Sequence, residues 1–147
     1  MQQTMENKKL NILLVEDDEV DVMNVKRAFQ TKNITNPLYI ASNGIEALKL
    51  LRGETSSFPK IPRQRRIILL DLNMPIMGGL EFLYELRADS NLKRIPVIIL
   101  TTSDEDKHRI DAYNFNVAGY LLKSVQSSQF IESIAIFNKY WSMCEIP

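Results

Sequence analysis

The sequence predicts an open α/β sandwich, a five-stranded parallel sheet with helices on both faces. Two observations carry that prediction. Five short apolar runs alternate with segments of helical period, and the polar residues best suited to chemistry, Asp17, Asp71, Thr101 and Lys123, fall where such runs end. Helical crossovers between successive strands force parallel pairing. Sheets of this kind bind ligands at the carboxyl ends of their strands, beside the topological switch point.

Residues 1–8 are polar and rich in Gln, Asn and Lys, and read as a disordered N-terminal tail ahead of a single domain over 9–147. The first strand spans 10–15 and runs into the acidic stretch Glu16, Asp17, Asp18, Glu19. Val22, Val25 and Phe29 repeat with helical spacing, and Asn33 closes that helix ahead of Pro37. A shorter second strand over 38–41 belongs near an edge. Asn43 with Glu46 reads as a helix N-cap and its capping-box partner, opening a helix through Ile45, Leu48 and Leu51 that ends by Gly53.

The segment 53–66 contains Pro59, Pro62 and the basic cluster Arg63, Arg65, Arg66, and it has no period. Its plain reading is a long, solvated basic loop; loops of that length are also often functional. The central strand follows at 67–70, unbroken, apolar and β-branched at its start, as befits burial on both faces. Asp71 sits at its end. A buried, unpaired carboxylate there costs several kcal/mol, so something must hold it charged, most simply a metal cation or an ammonium. Pro75 stops the strand, and Gly78 and Gly79 permit a tight turn into the helix marked by Leu80, Phe82, Leu83 and Leu86. The fourth strand covers 95–101, a short helix 105–113, the fifth strand 117–122 ending at Lys123, and the last helix 127–143.

The totals set limits. A chain of 147 residues with 18 acidic and 18 basic side chains is one domain with no global field for nucleic acid or anionic membrane. The single Cys144 forms no internal disulfide, the first residues lack the core of a signal peptide, and no apolar run approaches the roughly 20 residues of a membrane span. A soluble, cytoplasmic protein is expected.

Carboxylates from the first and third strand ends converge if those strands are neighbours, and close carboxylates do not all stay ionised without a cation. Mg2+ fits, since it takes hard oxygen ligands from one or two carboxylates together with phosphate oxygens. Lys123 adds a point charge suited to a phosphoryl oxygen and Thr101 a hydroxyl that reorients. Together they describe a site for a phosphoryl group on Asp71. Taken singly, each residue has a plainer reading: Asp17 or Asp18 as a helix cap, Thr101 as part of the next cap, Lys123 as a loop lysine. The conjunction is what points to chemistry.

Val15-Glu16-Asp17, the motif Asp71-x-x-Met74-Pro75-x-Met77-x-Gly79, Thr101 and Lys123 resemble the receiver domain of two-component response regulators over nearly the whole chain. The resemblance implies a flavodoxin-like sheet of order 2-1-3-4-5. It implies Asp71 as phosphoacceptor, with Glu16, Asp17, Asp71 and the Asn73 backbone carbonyl around Mg2+. It makes Thr101 and Tyr120 a switch pair, and it makes the protein a signalling module rather than an enzyme, phosphorylated by a histidine kinase. Taken alone, Tyr120 reads equally as an ordinary half-buried aromatic. Asn73 and Ser103 lie where they steer an attacking water, while His108 reads as a surface residue.

One departure is that Ser124 stands where receivers carry a cis proline after the lysine. A non-proline cis peptide costs about 2.5–4 kcal/mol, which leaves the aim of Lys123 open. Ser124, the long loop and the aromatic last helix together resemble the stand-alone regulators paired with bacterial and cyanobacterial phytochromes, the Rcp group.

On the last helix Phe130, Ile134, Phe137 and Trp141 form the stripe that faces the sheet, while Ile136, Tyr140 and Met143 form a second. The second stripe reads as scattered surface apolar groups or as a homodimer interface, and the resemblance favours the dimer. Two rival functions remain. A phosphohydrolase with an aspartyl nucleophile wants a second Asp where Asn73 stands. A receiver-shaped dimeric scaffold that is never phosphorylated has no obvious need of Glu16, Asp17, Asp71 and Thr101.

Overall fold

The computed structural model describes residues 9–54, 60–102, 106–123 and 126–147, and for 106–108 the backbone alone. The five apolar runs form β1 (Asn11–Val15), β2 (Leu38–Ala41), β3 (Arg66–Leu70), β4 (Val97–Thr101) and β5 (Gly119–Leu122). The helices are α1 (Glu19–Thr31), α2 (Gly44–Arg52), α3 (Gly79–Ala88), α4 (Asp106–Tyr113) and α5 (Ser127–Met143). All neighbouring strands are parallel, in the order β2-β1-β3-β4-β5. Helices cover both faces, so β1, β3 and β4 are buried throughout, while the edge strands β2 and β5 are only partly so.

Side-chain alternation along each strand divides the core in two. Leu13, Val15, Ile68, Leu70, Val97 and Ile99 face α2, α3 and α4, meeting Leu48, Phe82 and Ala112. Ile12, Leu14, Ile67, Leu69, Ile98 and Leu100 face α1 and α5, meeting Val25, Phe29, Phe130, Ile134 and Phe137. Trp141 completes the expected α5 stripe as a half-buried neighbour of that second core.

The helix ends follow local chemistry. Asp18 caps α1, accepting from the backbone N–H groups of Val20 (2.8 Å) and Asp21 (3.4 Å). Asn43 caps α2 by accepting from Glu46 N–H at 2.8 Å. The reciprocal contact differs from a capping box: the Glu46 carboxylate accepts from the Ser42 hydroxyl (2.8 Å) and Ser42 N–H (3.4 Å). Gly53 ends α2 in the left-handed region at φ 68°, which a glycine adopts without a Cβ penalty. β4 begins at Val97 rather than Ile95, because Ile95 N–H is already bonded to Leu92 O in the turn after α3.

The solvated-loop reading of 53–66 needs correction where the loop is described. Arg65 and Arg66 are both buried. The Arg65 guanidinium donates to Cys144 O (2.8 Å) and Ser142 O (3.1 Å) at the end of α5, and Arg66 donates to Leu51 O (3.3 Å) at the end of α2. Helix ends leave carbonyls without intrahelical partners and carry partial negative charge, so a guanidinium is well matched to them. The tail 1–8, Pro59, Ser103, Glu105 and the Lys123–Ser124 peptide lie outside the described residues, as does the His108 side chain.

Candidate functional site

The residue after each of β1, β3 and β5 keeps its place in the ladder. Glu16 N–H donates to Ala41 O (2.9 Å), Asp71 N–H to Val15 O (3.0 Å) and Lys123 N–H to Thr101 O (2.8 Å). Because Val15 is level with Leu70, and Thr101 with Leu122, the side chains that follow emerge together at the carboxyl end of the sheet. Register thus brings together residues far apart in the chain.

Carboxylate oxygens of Glu16, Asp17 and Asp71 lie within 4.8 Å of one another. Glu16 is 2 % exposed and Asp71 5 % exposed, whereas Asp17 faces solvent. Since Asp18 takes the capping role, Asp17 is left to the cluster. Lys123 Nζ donates to Glu16 Oε1 and to Asp21 Oδ2 (2.7 Å), and stands 3.8 Å from Asp71 Oδ2. Its aim is therefore into the cluster. Thr101 is fully buried, and Tyr120 packs half-buried on the α2/α3/α4 side with the Arg109 guanidinium 5.9 Å from its ring centre. Asn73 is exposed, and its N–H donates to Asp71 Oδ1 at 3.3 Å.

Among the described residues, four carboxylates around one ammonium leave the pocket short of positive charge. Burial pushes the Glu16 carboxyl up to about 8, with Lys123 pulling the other way. Burial disfavours the Lys123 ammonium, but its hydrogen bonds to Asp21 and Glu16 outweigh this and raise its pKa. A pocket in which carboxylates outnumber the ammonium suits a further cation. Three close carboxylates offering hard oxygens fit Mg2+ or Mn2+.

The floor of the site explains one of the two glycines expected to make the turn. A Cβ on Gly79 would lie 2.6 Å from Leu72 Cα and 2.8 Å from Asp71 O, so α3 approaches the Asp71–Leu72 backbone too closely for any side chain. Gly78 has no such need: its φ is −61° and an added Cβ would meet its nearest neighbours at 3.7 Å. The left-handed position falls instead on Met77, at φ 50°.

The sequence profile of the response regulator receiver domain matches residues 12–135. The chain belongs to that family. Among relatives of this receiver, Response regulator Rcp1 of Synechocystis is 35 % identical over 88 % of this chain and 87 % of its own. The probable methanogenesis regulatory protein FilR2 of Methanothrix harundinacea is 33 % identical over 88 % and 82 %. The crystal structure of the phosphorylated cyanobacterial phytochrome response regulator RcpA superposes with TM-score 0.83 at 32 % identity, covering 95 % of this receiver and 99 % of RcpA. The Mn(2+)-bound form of Rcp1 superposes with TM-score 0.80 at 35 % identity, covering 94 % and 99 %. The receiver is thus related to phytochrome response regulators and is a component of the two-component phosphorelay class. No helix among its described residues is long and apolar enough to cross a membrane.

Two residues of this receiver's site escape a reading of the chain alone. Asp21 looks like a first-turn helix acid, yet its carboxylate holds Lys123. Arg109, on a helix with almost no apolar face, sits over Tyr120. Neither contact has a sequence signal, because each depends on which helix lies beside which strand end.

Proposed function

We propose that Asp71 accepts a phosphoryl group from the phosphohistidine of a histidine kinase. An Asp71 carboxylate oxygen attacks phosphorus, the P–N bond breaks as the P–O bond forms, and the histidine leaves as imidazole after taking up a proton. The convergence of Glu16, Asp17 and Asp71 with Lys123 in one pocket supports this reading most directly. Asp17 and Asp71, the Asn73 carbonyl and, through water, Glu16 would hold Mg2+, which when bound neutralises charge on the phosphoryl oxygens. Lys123 exchanges part of its hold on Glu16 and Asp21 for a phosphoryl oxygen.

Thr101 follows the new charge with its hydroxyl, and Tyr120 turns into the space so released. That movement repacks α4, β5 and α5 and carries the signal to the surface. The likeness to Rcp1 and RcpA supports a phytochrome-type kinase as the donor. Ile136, Tyr140 and Met143 are 66 %, 62 % and 77 % exposed, a continuous apolar stripe on α5 suited to a homodimer. Nucleic acid and membrane are not partners in this reading, and the protein works in the cytoplasm.

Incubation with acetyl phosphate and Mg2+, beside an Asp71→Asn control, tests the assignment by intact mass. One added phosphoryl group, lost with hydroxylamine and absent from the control, is expected. An adduct that persists in the control moves the acceptor elsewhere. Light scattering on the same samples reads the dimer: charged substitutions at Ile136 and Tyr140 should give monomers, and an unchanged dimer overturns that interface.

A further inference from the structure

At the opposite pole of the sheet, a cavity of about 410 Å3 opens between the ends of α2 and α3, lined by Arg52, Arg63, Arg66, Asp89 and Asn91 over Leu51 and Leu92. We propose that this cavity binds a small phosphate-bearing anion, of the size of pyrophosphate or a nucleotide.

Charge is the first argument. The cavity's one carboxylate, Asp89, is already engaged: it accepts from Arg52 Nε at 3.1 Å and from Asn91 N–H at 2.8 Å. Among the described residues no carboxylate pairs with Arg63 or Arg66. Each of these makes a bond to a carbonyl of the last turn of α2, Arg63 to Arg52 O (3.4 Å) and Arg66 to Leu51 O (3.3 Å), and a guanidinium has five N–H donors. Burial, and after it the charge of Arg63, lowers the Arg66 pKa, so a bound anion would relieve a repulsion already present.

Shape is the second argument. Three arginines against one aspartate leave two positive charges, which match a phosphate dianion better than a monocarboxylate, and the planar fork of arginine suits phosphate oxygens. Their convergence on one concavity, rather than along a stripe, favours a compact ligand over a nucleic-acid backbone. The volume lies within the roughly 300–1,000 Å3 of small-molecule sites, and the buried Leu51 and Leu92 give it an apolar floor. The site stands at the start of β3, whose other end carries Asp71, so the two are independent in contacts.

Calorimetric titration of the full chain carrying Asp71→Asn, in Mg2+-free buffer at constant ionic strength, tests the site without contribution from the acidic pocket. Pyrophosphate and, separately, ADP should each saturate a single site. Arg63→Gln should loosen it about tenfold or more, and Arg63→Glu should abolish it. Arg63 is exposed, so both variants should keep the thermal midpoint of the parent. Tighter binding of ADP than of pyrophosphate means that the leucine floor takes the base. No saturable binding of either probe, an affinity indifferent to Arg63, or binding of a single-stranded oligonucleotide alone overturns the proposal.

Discussion

The two ends of the central strand present opposite electrostatic problems. Beyond Leu70, the carboxylates of Glu16, Asp17, Asp21 and Asp71 crowd around one ammonium. At the other end Arg66 is buried beside Arg52, Arg63 and Asp89, and Arg65 is buried against the end of α5. At that basic pole Arg65 is answered from within, its guanidinium donating to the terminal carbonyls of α5, whereas Arg63 and Arg66 each give one bond to the end of α2 and keep further donors. The acidic pole has no such fixed answer. The N–H groups of Glu16 and Asp71 are spent on the ladder, those of Asp18 and Asn73 reach the Glu16 and Asp71 carboxylates at 3.3 Å, and the carboxylates compete for Lys123. Buried charge matched by fixed backbone dipoles stabilises the fold; buried charge left over is where a ligand adds most. An overall balance of 18 acidic and 18 basic residues conceals this polarity.

The largest effect that would sharpen the contrast is Lys123→Met. Removing one partner of a buried ion pair costs about 3–5 kcal/mol, and urea unfolding without divalent ions should show a loss of that order. Adding Mg2+ should recover part of it. A loss that Mg2+ leaves untouched would mean that the acidic pole does not lack cations.

Arg65→Ala probes the other pole. It strands two carbonyls at the end of α5 and should lower stability by about 2–3 kcal/mol, equally with and without Mg2+. A Mg2+-dependent loss would break the separation of the two poles.

A smaller effect concerns the floor of the acidic pole. Gly79→Ala forces a Cβ against backbone and should cost about 1–3 kcal/mol in thermal unfolding, whereas Gly78→Ala should be nearly neutral. Equal costs would show that the turn, not the close approach, demands glycine.

Smallest is a pH effect at the basic pole. The Asn91 N–H and then the Arg52 guanidinium, against some desolvation, hold the Asp89 pKa below its ordinary 3.8. A depressed carboxyl contributes stability that is present above the unfolded value and disappears as pH falls through the folded one. Acid titration of the unfolding midpoint should therefore be shallower below about pH 4 for Asp89→Asn than for the parent. Identical curves would remove Asp89 as a stabilising partner of Arg52.

Much of the fold and of the candidate site is legible in the chain. The unbroken run before Asp71 specified a central strand, since only a strand covered on both faces tolerates so many consecutive β-branched and aliphatic residues. Asn43 and Gly53 marked the ends of α2, because capping depends on nearest neighbours along the chain. The acidic run at 16–19, Asp71, Thr101 and Lys123 stood out as strand-end residues, and the family motif linked them.

What the chain alone determined, then, was everything governed by local periodicity and capping, together with the candidate site residues singled out by their motif. Tertiary structure decided how each charge is answered. Arg65 and Arg66 look like solvated loop residues in sequence, and become buried helix caps only because α2 and α5 end beside the start of β3. Asp21 becomes a partner of Lys123 only because α1 starts beside the end of β5. Gly79 rather than Gly78 is indispensable only where α3 presses on Leu72. Periodicity reports which face of an element is apolar, but the free energy of a charge depends on what lies within a few ångströms in space, and those neighbours come from segments distant in the chain.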